Sequence, residues 1–498
     1  MTPEQIKKIQ AVNVIVLGDL MLDRYIFGYV RRISPEAPVP IIEVKEETMR
    51  LGGAGNVARN IRALGANVRV LSCIGQDPDG DLLLSMLNEL GADTRFLWQD
   101  DRVKTITKTR VVSKNQQFLR YDQEKTEDIS QDYVNYIGCS LDTVFDCINI
   151  VILSDYGKGA VSPPLARLII DNAGKKNIPV LVDPKGANYQ KYTGATICTP
   201  NLNELSAAAH VFLTQEDEEG IQAAGVSLCK KYEFKWLIAT RSEKGMSLIS
   251  RQGLKQDFPA VAKEIVDVSG AGDTVIAIIA LGMAAGFSLA DCCRLANTAA
   301  SIVISKFGTA AVTFSELVGS EIYASAGKRL TREQIPYLMD YLREQNKKAV
   351  FTNGCFDIIH AGHISSFRQA RKFGDVLIVG LNSDDSVRRL KGDCRPIVKE
   401  KDRAGLLEAL TLVDYIVIFN EDTPESLIRE ICPNVLVKGQ DWAGQRIAGQ
   451  NFVEEHGGRV ELIIMEEGLS TTNIINRIRT VYGRPAQNME EIWTKSSL

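Results

Sequence analysis

Short apolar runs alternate with helix-length amphipathic stretches along most of this 498-residue chain. In the first part, VNVIVLGD (12–19), NVRVLSCIG (67–75), INIVILSD (148–155), IPVLVDPK (178–185) and KWLIATRS (235–242) have the unbroken Val/Ile/Leu character of strands buried on both faces. Between them, DGDLLLSMLNELG (79–91) and PPLARLIIDNAGKKN (163–177) carry helical periodicity. The alternation predicts a mostly parallel, doubly wound sheet with helices on both faces. TITKTRVVSKNQQFLRYDQE (105–124) is polar and β-rich, and predicts a small lid sheet outside the main fold. A second α/β series opens at KAVFTNG (348–354) and runs through DVLIVGLNS (375–383), DYIVIFN (414–420), NVLVKG (434–439) and RVELIIM (459–465). The polar, helix-prone stretch between the series reads as a connector. The expected organisation is a first α/β domain over 1–318, a helical connector over 319–345 and a second doubly wound domain over 346–498.

Composition narrows the classes. Apolar residues at 45% and charged residues at 24% belong to a globular chain with well-filled cores. A net charge of −4, with Lys and Arg scattered, argues against a nucleic-acid face, which needs a basic excess or a dense patch. The ten Cys form no CxxC pair, and the one close pair is Cys292-Cys293, so they read as reduced thiols rather than a disulfide frame or a zinc site. MTPEQIKKIQ lacks the apolar core of a signal peptide, and the longest apolar run, Val275 to Phe287, is too short to cross a bilayer. The expectation is a cytoplasmic protein without membrane partners.

Candidate chemistry gathers at two places. DVSGAGDT (267–274) runs straight into the apolar helix. Gly270, Ala271 and Gly272 let backbone N–H groups approach an anion, and the helix adds its positive N-terminal end. Asp273 stands beside that anion hole, where a carboxylate takes a proton from an attacking hydroxyl. LGGAGNVARNIRALG (51–65) offers a second Gly-rich turn, with Gly53 and Asn56 at a helix start. Asp19 in GDLMLD (18–23) and Asp155 end predicted strands, where ligands collect in open α/β sheets. Singly, each of these also suits a cap or a tight turn.

Together, GGAGNVARNIRALG and DVSGAGDT resemble the two signatures of the ribokinase-like (PfkB) sugar kinases, in the expected order, over about residues 10–315. Ser269 stands where the second signature often has Thr. The resemblance implies Asp273 as catalytic base, Gly270 to Gly272 as anion hole, and Asp19, Gly53, Asn56 and Asp155 around the sugar. TPNLNE (199–204) is similar to the family's N-x-x-E motif. It implies that Asn201, Leu202, Asn203 and Glu204 serve ATP, with Glu204 positioning Mg²⁺ through water. Ser242 and Gly245 in TRSEKG (240–245), with Asn297 and Gly308, are implied to flank the adenine. An acceptor that already carries a phosphate needs cations; the candidates are Arg110, Arg120, Lys158 and Lys185, with Lys185 in DPKG favoured.

FTNGCFDIIHAGH (351–363) follows a predicted strand and opens a helix. His360 and His363 are two of only four histidines, and no third metal-type ligand stands nearby. Gly362 suggests a phosphate close to the backbone at a helix start, with two imidazoles donating to it as charge grows. With NSD (382–384), RLKG (389–392), VKG (437–439) and STTNII (470–475), the segment resembles the nucleotidyltransferases marked by H-x-G-H, over about residues 346–480. That family has a Rossmann-like domain. The resemblance implies Thr352, Asp357 and Asp384 as organisers, Lys391 and Lys438 as cations for the triphosphate, and Ser470 and Thr471 as contacts to the β- and γ-phosphates.

Their order in one chain resembles the family of bifunctional heptose-7-phosphate kinases and heptose-1-phosphate adenylyltransferases. Leu469 and Gln440 stand where relatives often have Cys and Gly. The family implies ATP and Mg²⁺, sugar-phosphate substrates, a separate heptose bisphosphate phosphatase acting between the two steps, and a homodimer. Another sugar or polyol phosphate, CTP in the second site, or one catalytically silent domain remain the alternatives.

Overall fold

The computed structural model describes residues 3–113, 116–124, 128–261, 265–324, 327–464 and 471–482. It divides into two compact units, Met1–Leu317 and Val318–Leu498.

The first unit is built on a nine-stranded sheet. From one edge its strands are Lys255–Phe258, Met246–Ser250, Trp236–Thr240, Ile197–Cys198, Val180–Asp183, Ile150–Ser154, Asn13–Gly18, Asn67–Gly75 and Asp93–Asp100. Pairing is parallel except at the Lys255 edge, where Trp236–Thr240, Met246–Ser250 and Lys255–Phe258 run antiparallel. The central strands are apolar on both faces because helices cover both, and Ile150–Ser154 is buried at every position. Helix Ala271–Ala284 is apolar all round and packs among helices Ala54–Ala63 and Leu289–Val303. Ile276, Ile278, Ile279 and Leu281 are fully buried, each stabilising the unit by roughly 1.5–3 kcal/mol. Deep burial of this helix fixes the backbone at its N-terminus, where the DVSGAGDT turn lies.

The lid is larger than 105–124. It is a four-stranded sheet in which the 14-residue strands Leu20–Ile33 and Pro40–Gly53 pair antiparallel, and Ile106–Ser113 and Gln116–Gln123 complete the outer half. Leu20–Ile33 starts two residues after the core strand Asn13–Gly18 ends, so the lid grows directly out of the sheet. Charged positions interrupt the apolar alternation of 31–50, which hides these strands from a pattern reading.

The second unit holds a wholly parallel six-stranded sheet in the order Arg329–Leu330, Tyr415–Phe419, Val376–Asn382, Ala349–Gly354, Val435–Gly439, Arg459–Ile463. The stretch 319–345, expected as a connector, belongs to this unit. Arg329–Leu330 forms its edge strand, and helix Ile335–Glu344 buries Ile335, Leu338, Met339 and Leu342. Because only two residues make the strand, no periodicity marks it.

Arg403 is the largest fully buried side chain in the described residues. Its guanidinium donates to the carbonyls of Val398 (2.9 Å), Cys355 (2.6 Å) and Asn382 (2.8 Å) and pairs with Asp384 at 2.7 Å. One planar fork thus fastens the loop after Ala349–Gly354 to the end of Val376–Asn382. Arg403→Leu is expected to lower the stability of the second unit by about 3–5 kcal/mol, since it strands Asp384 and three carbonyls. Chemical denaturation followed by tryptophan fluorescence checks this; an unshifted transition would contradict the role.

Candidate active sites

In the first unit, the carboxyl ends of three neighbouring parallel strands bring Asp19, Asp155 and Asp183 to one edge of the sheet. Asp19 accepts backbone N–H bonds from Tyr156 (2.7 Å), Lys158 (3.1 Å) and Ala160 (2.9 Å). Burial pushes its pKa up, against the pull of those amides. Asp155 accepts from the Gly157 N–H (2.7 Å) and the Tyr192 hydroxyl (2.5 Å) and pairs with Lys191. Both were expected beside the sugar. Here the Asp19 oxygens take amides of the 156–160 loop, while Asp155 divides its oxygens between that loop and the Tyr192/Lys191 pair.

Asp273 lies in the first turn of helix Ala271–Ala284 and is only 4% exposed. Its Oδ2 accepts from Asn56 Nδ2 at 2.8 Å and its Oδ1 from the Tyr156 hydroxyl at 2.6 Å. Burial raises its pKa to about 6, Asp23 adds repulsion, and the two hydrogen bonds pull it back down. A carboxylate with a pKa near neutrality is suited to general-base work. Gly270 caps the helix at φ 82°, and a Cβ there would come within 2.5 Å of Asn56 Nδ2, so glycine is required twice over. A Cβ at Gly272 would meet nothing within 4 Å, so open space faces that backbone. Gly53, at φ 57°, opens the helix that carries Asn56. The two Gly-rich turns, far apart in sequence, therefore meet at Asp273.

The N-x-x-E segment forms a reciprocal cap on helix Leu202–Ala209: Asn201 accepts the Glu204 N–H at 2.9 Å and Glu204 accepts the Asn201 N–H at 3.1 Å. Leu202 is half-buried and Asn203 exposed on that turn. The other Glu204 oxygen takes Lys185 Nζ at 3.1 Å. Asp183 is held well above the carboxylate range by burial, then by Asp273 and Glu204. Ser242 (φ 48°) and Gly245 (φ 85°) shape the turn before Met246–Ser250, and a Cβ on Gly245 would collide with the Phe258 carbonyl at 2.1 Å. Asn297 Nδ2 donates to the carbonyls of Phe258 and Pro259, both at 3.0 Å, so Gly245 and Asn297 meet at the same turn. The Gly308 N–H donates to Asp267 at 3.0 Å, which ties its loop to the DVSG turn.

Four residues of this site escaped the sequence reading: Tyr156, Asp183, Lys108 and Asp23. Asp23 is buried and pairs with Arg110 at 2.6 Å. GDLMLD carried the signal, because a strand through 20–23 turns Asp23 to the face opposite Leu22.

In the second unit the sheet's carboxyl edge carries the H-x-G-H turn. His360 caps helix Ala361–Ala370, and the His360 and His363 rings stack with centroids 3.9 Å apart. Phe356 packs edge-on against His363 at 5.2 Å. Burial lowers both pKa values, that of His363 to about 4 with His360 adding to it, so both rings are neutral at pH 7. Among the described residues both Nδ1 atoms are buried without a hydrogen-bond partner, an arrangement that calls for a ligand. Lys438 Nζ donates to Asn353 Oδ1 at 2.5 Å and lies 5.4 Å from the Trp442 ring centre. Burial brings its pKa down to about 8. Thr352, on the strand before the turn, is half-buried. Asp357 accepts from the N–H groups of Ile397 (2.7 Å) and Val398 (2.9 Å) and pairs with Arg395. Asp384 accepts from the Glu400 N–H at 2.8 Å besides Arg403. Lys391 ends helix Asp384–Lys391, exposed, and Thr471 starts helix Thr471–Tyr482. Ser470 lies outside the described residues. Arg403, Asn353 and Trp442 were not foreseen; Asn353 meets Lys438 through neighbouring strands, and Arg403 joins loops that the fold brings together.

An anion cradle with a buried base, and a second cradle with paired neutral imidazoles, define a phosphotransferase joined to a nucleotidyltransferase. Comparison with known proteins agrees. Residues 12–315 match the pfkB family carbohydrate kinases and residues 351–494 the cytidylyltransferase-like family. Bifunctional protein HldE of Geobacter sulfurreducens is 44% identical over 95% of this chain and 97% of its own length. HldE of Campylobacter fetus subsp. fetus is 44% identical over 94% and 100%. Among solved structures, phosphofructokinase-2 from Escherichia coli in complex with potassium covers 62% of this chain and 97% of its own, with a TM-score of 0.51 at 20% identity, a likeness of fold. The chain belongs to the bifunctional HldE family, a sugar kinase and an adenylyltransferase in one polypeptide.

Tyr156→Phe removes a hydrogen bond that lowers the Asp273 pKa, so the pKa should rise above about 6. The acidic limb of the kinase pH–rate profile is then expected to move to higher pH while the alkaline plateau persists. A limb that stays in place would show that Tyr156 does not act on the base.

Proposed function

We propose that the first unit transfers the γ-phosphoryl group of ATP to the anomeric hydroxyl of D-glycero-β-D-manno-heptose 7-phosphate, giving the 1,7-bisphosphate. The second unit transfers AMP from ATP to heptose 1-phosphate and releases pyrophosphate, giving ADP-heptose for the lipopolysaccharide core. The observation that carries this reading is the similarity to HldE along nearly the whole chain, with both sets of reactive groups intact.

In the kinase step, Asp273 accepts the proton of the anomeric hydroxyl as its oxygen bonds to the γ-phosphorus and ADP leaves. Asn56 and Tyr156 hold the carboxylate in position. The N–H groups of 270–272 and the helix N-terminus take up charge on the transferred group. Phosphoryl transfer needs this alignment more than covalent assistance. Among the described residues no group of three or more His, Cys, Asp or Glu is arranged to hold a metal alone. Glu204 and Asp183 are the oxygen donors that would hold Mg²⁺ beside the nucleotide, where the ion would offset phosphate charge. The adenine would lie near the turns of Ser242, Gly245, Asn297 and Gly308.

In the transfer step, a phosphate oxygen of the sugar attacks the α-phosphorus. His360 and His363, neutral and with Nδ1 atoms unpartnered among the described residues, donate to the oxygens that gain charge. Lys438, Lys391 and Thr471 would take up charge on the leaving pyrophosphate, a role the family resemblance also gives to Ser470. A separate phosphatase removes the 7-phosphate between the two steps. The exposed apolar positions Tyr29, Ile33, Val44 and Leu119 on the lid support a homodimer assembled through it. No described helix is long and apolar enough to cross a membrane, and a cytoplasmic enzyme is the reading that fits.

Supplying heptose 7-phosphate, ATP and Mg²⁺ and following products by mass tests the assignment. Asp273→Asn is expected to lower bisphosphate formation by about 10²–10⁴-fold while adenylylation of supplied heptose 1-phosphate continues. His363→Ala should do the reverse, losing about 10²–10³-fold in adenylyl transfer. Loss of both activities from either folded variant would refute two independent sites.

A further inference from the structure

An acceptor that already bears a phosphate brings a second dianion into the kinase site, and this needs a cation not already neutralised. The basic side chains around the site are mostly committed. Arg110 pairs with Asp23 at 2.6 Å, Arg120 with Asp122 at 2.6 Å, Lys158 with Glu124 at 2.7 Å, Lys185 with Glu204 at 3.1 Å, and Lys191 with Asp155. Lys185, favoured on sequence, is in addition about half exposed, its side chain retaining 52% of its accessible surface.

Lys108 differs. On the lid strand Ile106–Ser113 it stands in register with Asp23 on one neighbouring strand and Asp122 on the other. Those are the two carboxylates that Arg110 and Arg120 occupy. Lys108 therefore has acids beside it and makes no ion pair among the described residues. Its amine is half-buried and lies 5.6 Å from the centre of the Tyr156 ring, whose hydroxyl donates to the catalytic Asp273 at 2.6 Å. Burial lowers its pKa, with Asp23 opposing that. A partly desolvated ammonium group held over an aromatic ring, one ring's width from the base, gains most from a doubly charged anion.

We infer that Lys108 is the specificity-determining cation of the kinase, binding the phosphate that the sugar already carries and so selecting phosphorylated over unphosphorylated sugars. The inference rests on the kinase reading above. The lid then does more than cover the sugar: it reads the acceptor's far end while Asp273 works on the anomeric hydroxyl. Tyr156, touching both groups, keeps that spacing fixed.

The test compares kcat/KM of the full-length enzyme on heptose 7-phosphate and on the same heptose without its phosphate, at saturating ATP, for wild type, Lys108→Met and Lys108→Arg. In Lys108→Met the preference for the phosphorylated sugar, taken as the ratio of the two values, is expected to fall by about 10–100-fold, carried by KM. Lys108→Arg should recover much of it, and the KM for ATP should not move. An unchanged ratio, with equal losses on both sugars, would mean that Lys108 acts only through Tyr156 and the base, and would overturn the inference. A rise confined to the KM for ATP would also overturn it, by assigning Lys108 to the nucleotide. If the wild-type enzyme phosphorylated neither sugar, the kinase reading itself would fall, and the inference with it.

Discussion

In both halves of this molecule the candidate site is built on backbone N–H groups at the start of a helix, held at the carboxyl edge of a parallel sheet where a phosphate would bind. The partial positive charge there is modest, and it matters only because the backbone cannot relax away from it. In the first unit that rigidity comes from helix Ala271–Ala284, buried on every side, and from Gly270, whose φ of 82° sets the turn. In the second it comes from the tight turn that His360 caps. The candidate anion sites are thus consequences of core packing a few residues away.

The two units solve the attendant problem of loop backbone in the same way, with a buried charged side chain. Asp19 collects three amides of the 156–160 loop, and Arg403 collects three carbonyls around the H-x-G-H loop. One is an acceptor serving donors, the other a donor serving acceptors. Each leaves little freedom to the reactive residues nearby, Tyr156 in one case and the turn after Cys355 in the other. Asp19 drew notice in sequence because it sits in GDLMLD, whereas Arg403 lies outside the motifs; the hydrogen bonds of both are directed at the protein itself.

The candidate reactive groups are tuned by burial in opposite senses. Asp273 is pushed up to about 6, and His363 is pushed down to about 4. The first change suits a carboxylate to act as a base near neutrality. The second keeps an imidazole uncharged, so that it donates a hydrogen bond without first repelling its stacked neighbour. Lys438, brought down to about 8 beside Asn353 and Trp442, follows the same rule.

The linear order of residues was enough to reveal the two α/β series, and it picked out as candidates the two Gly-rich turns that meet at Asp273 and the His360/His363 pair that stacks in the second unit. These features are local: strand burial shows as unbroken apolar runs, and a phosphate turn needs small residues next to a helix start. Sequence missed whatever depends on which strands lie side by side. The lid strands Leu20–Ile33 and Pro40–Gly53, the edge strand Arg329–Leu330, and the partners Tyr156, Asp23, Lys108 and Arg403 are of this kind. Tyr156 meets Asp273 across 117 positions of chain, and Asn56 meets it across 217. Only the folded sheet, by fixing strand order and register, decides which polar side chains share a site and which of them are already paired.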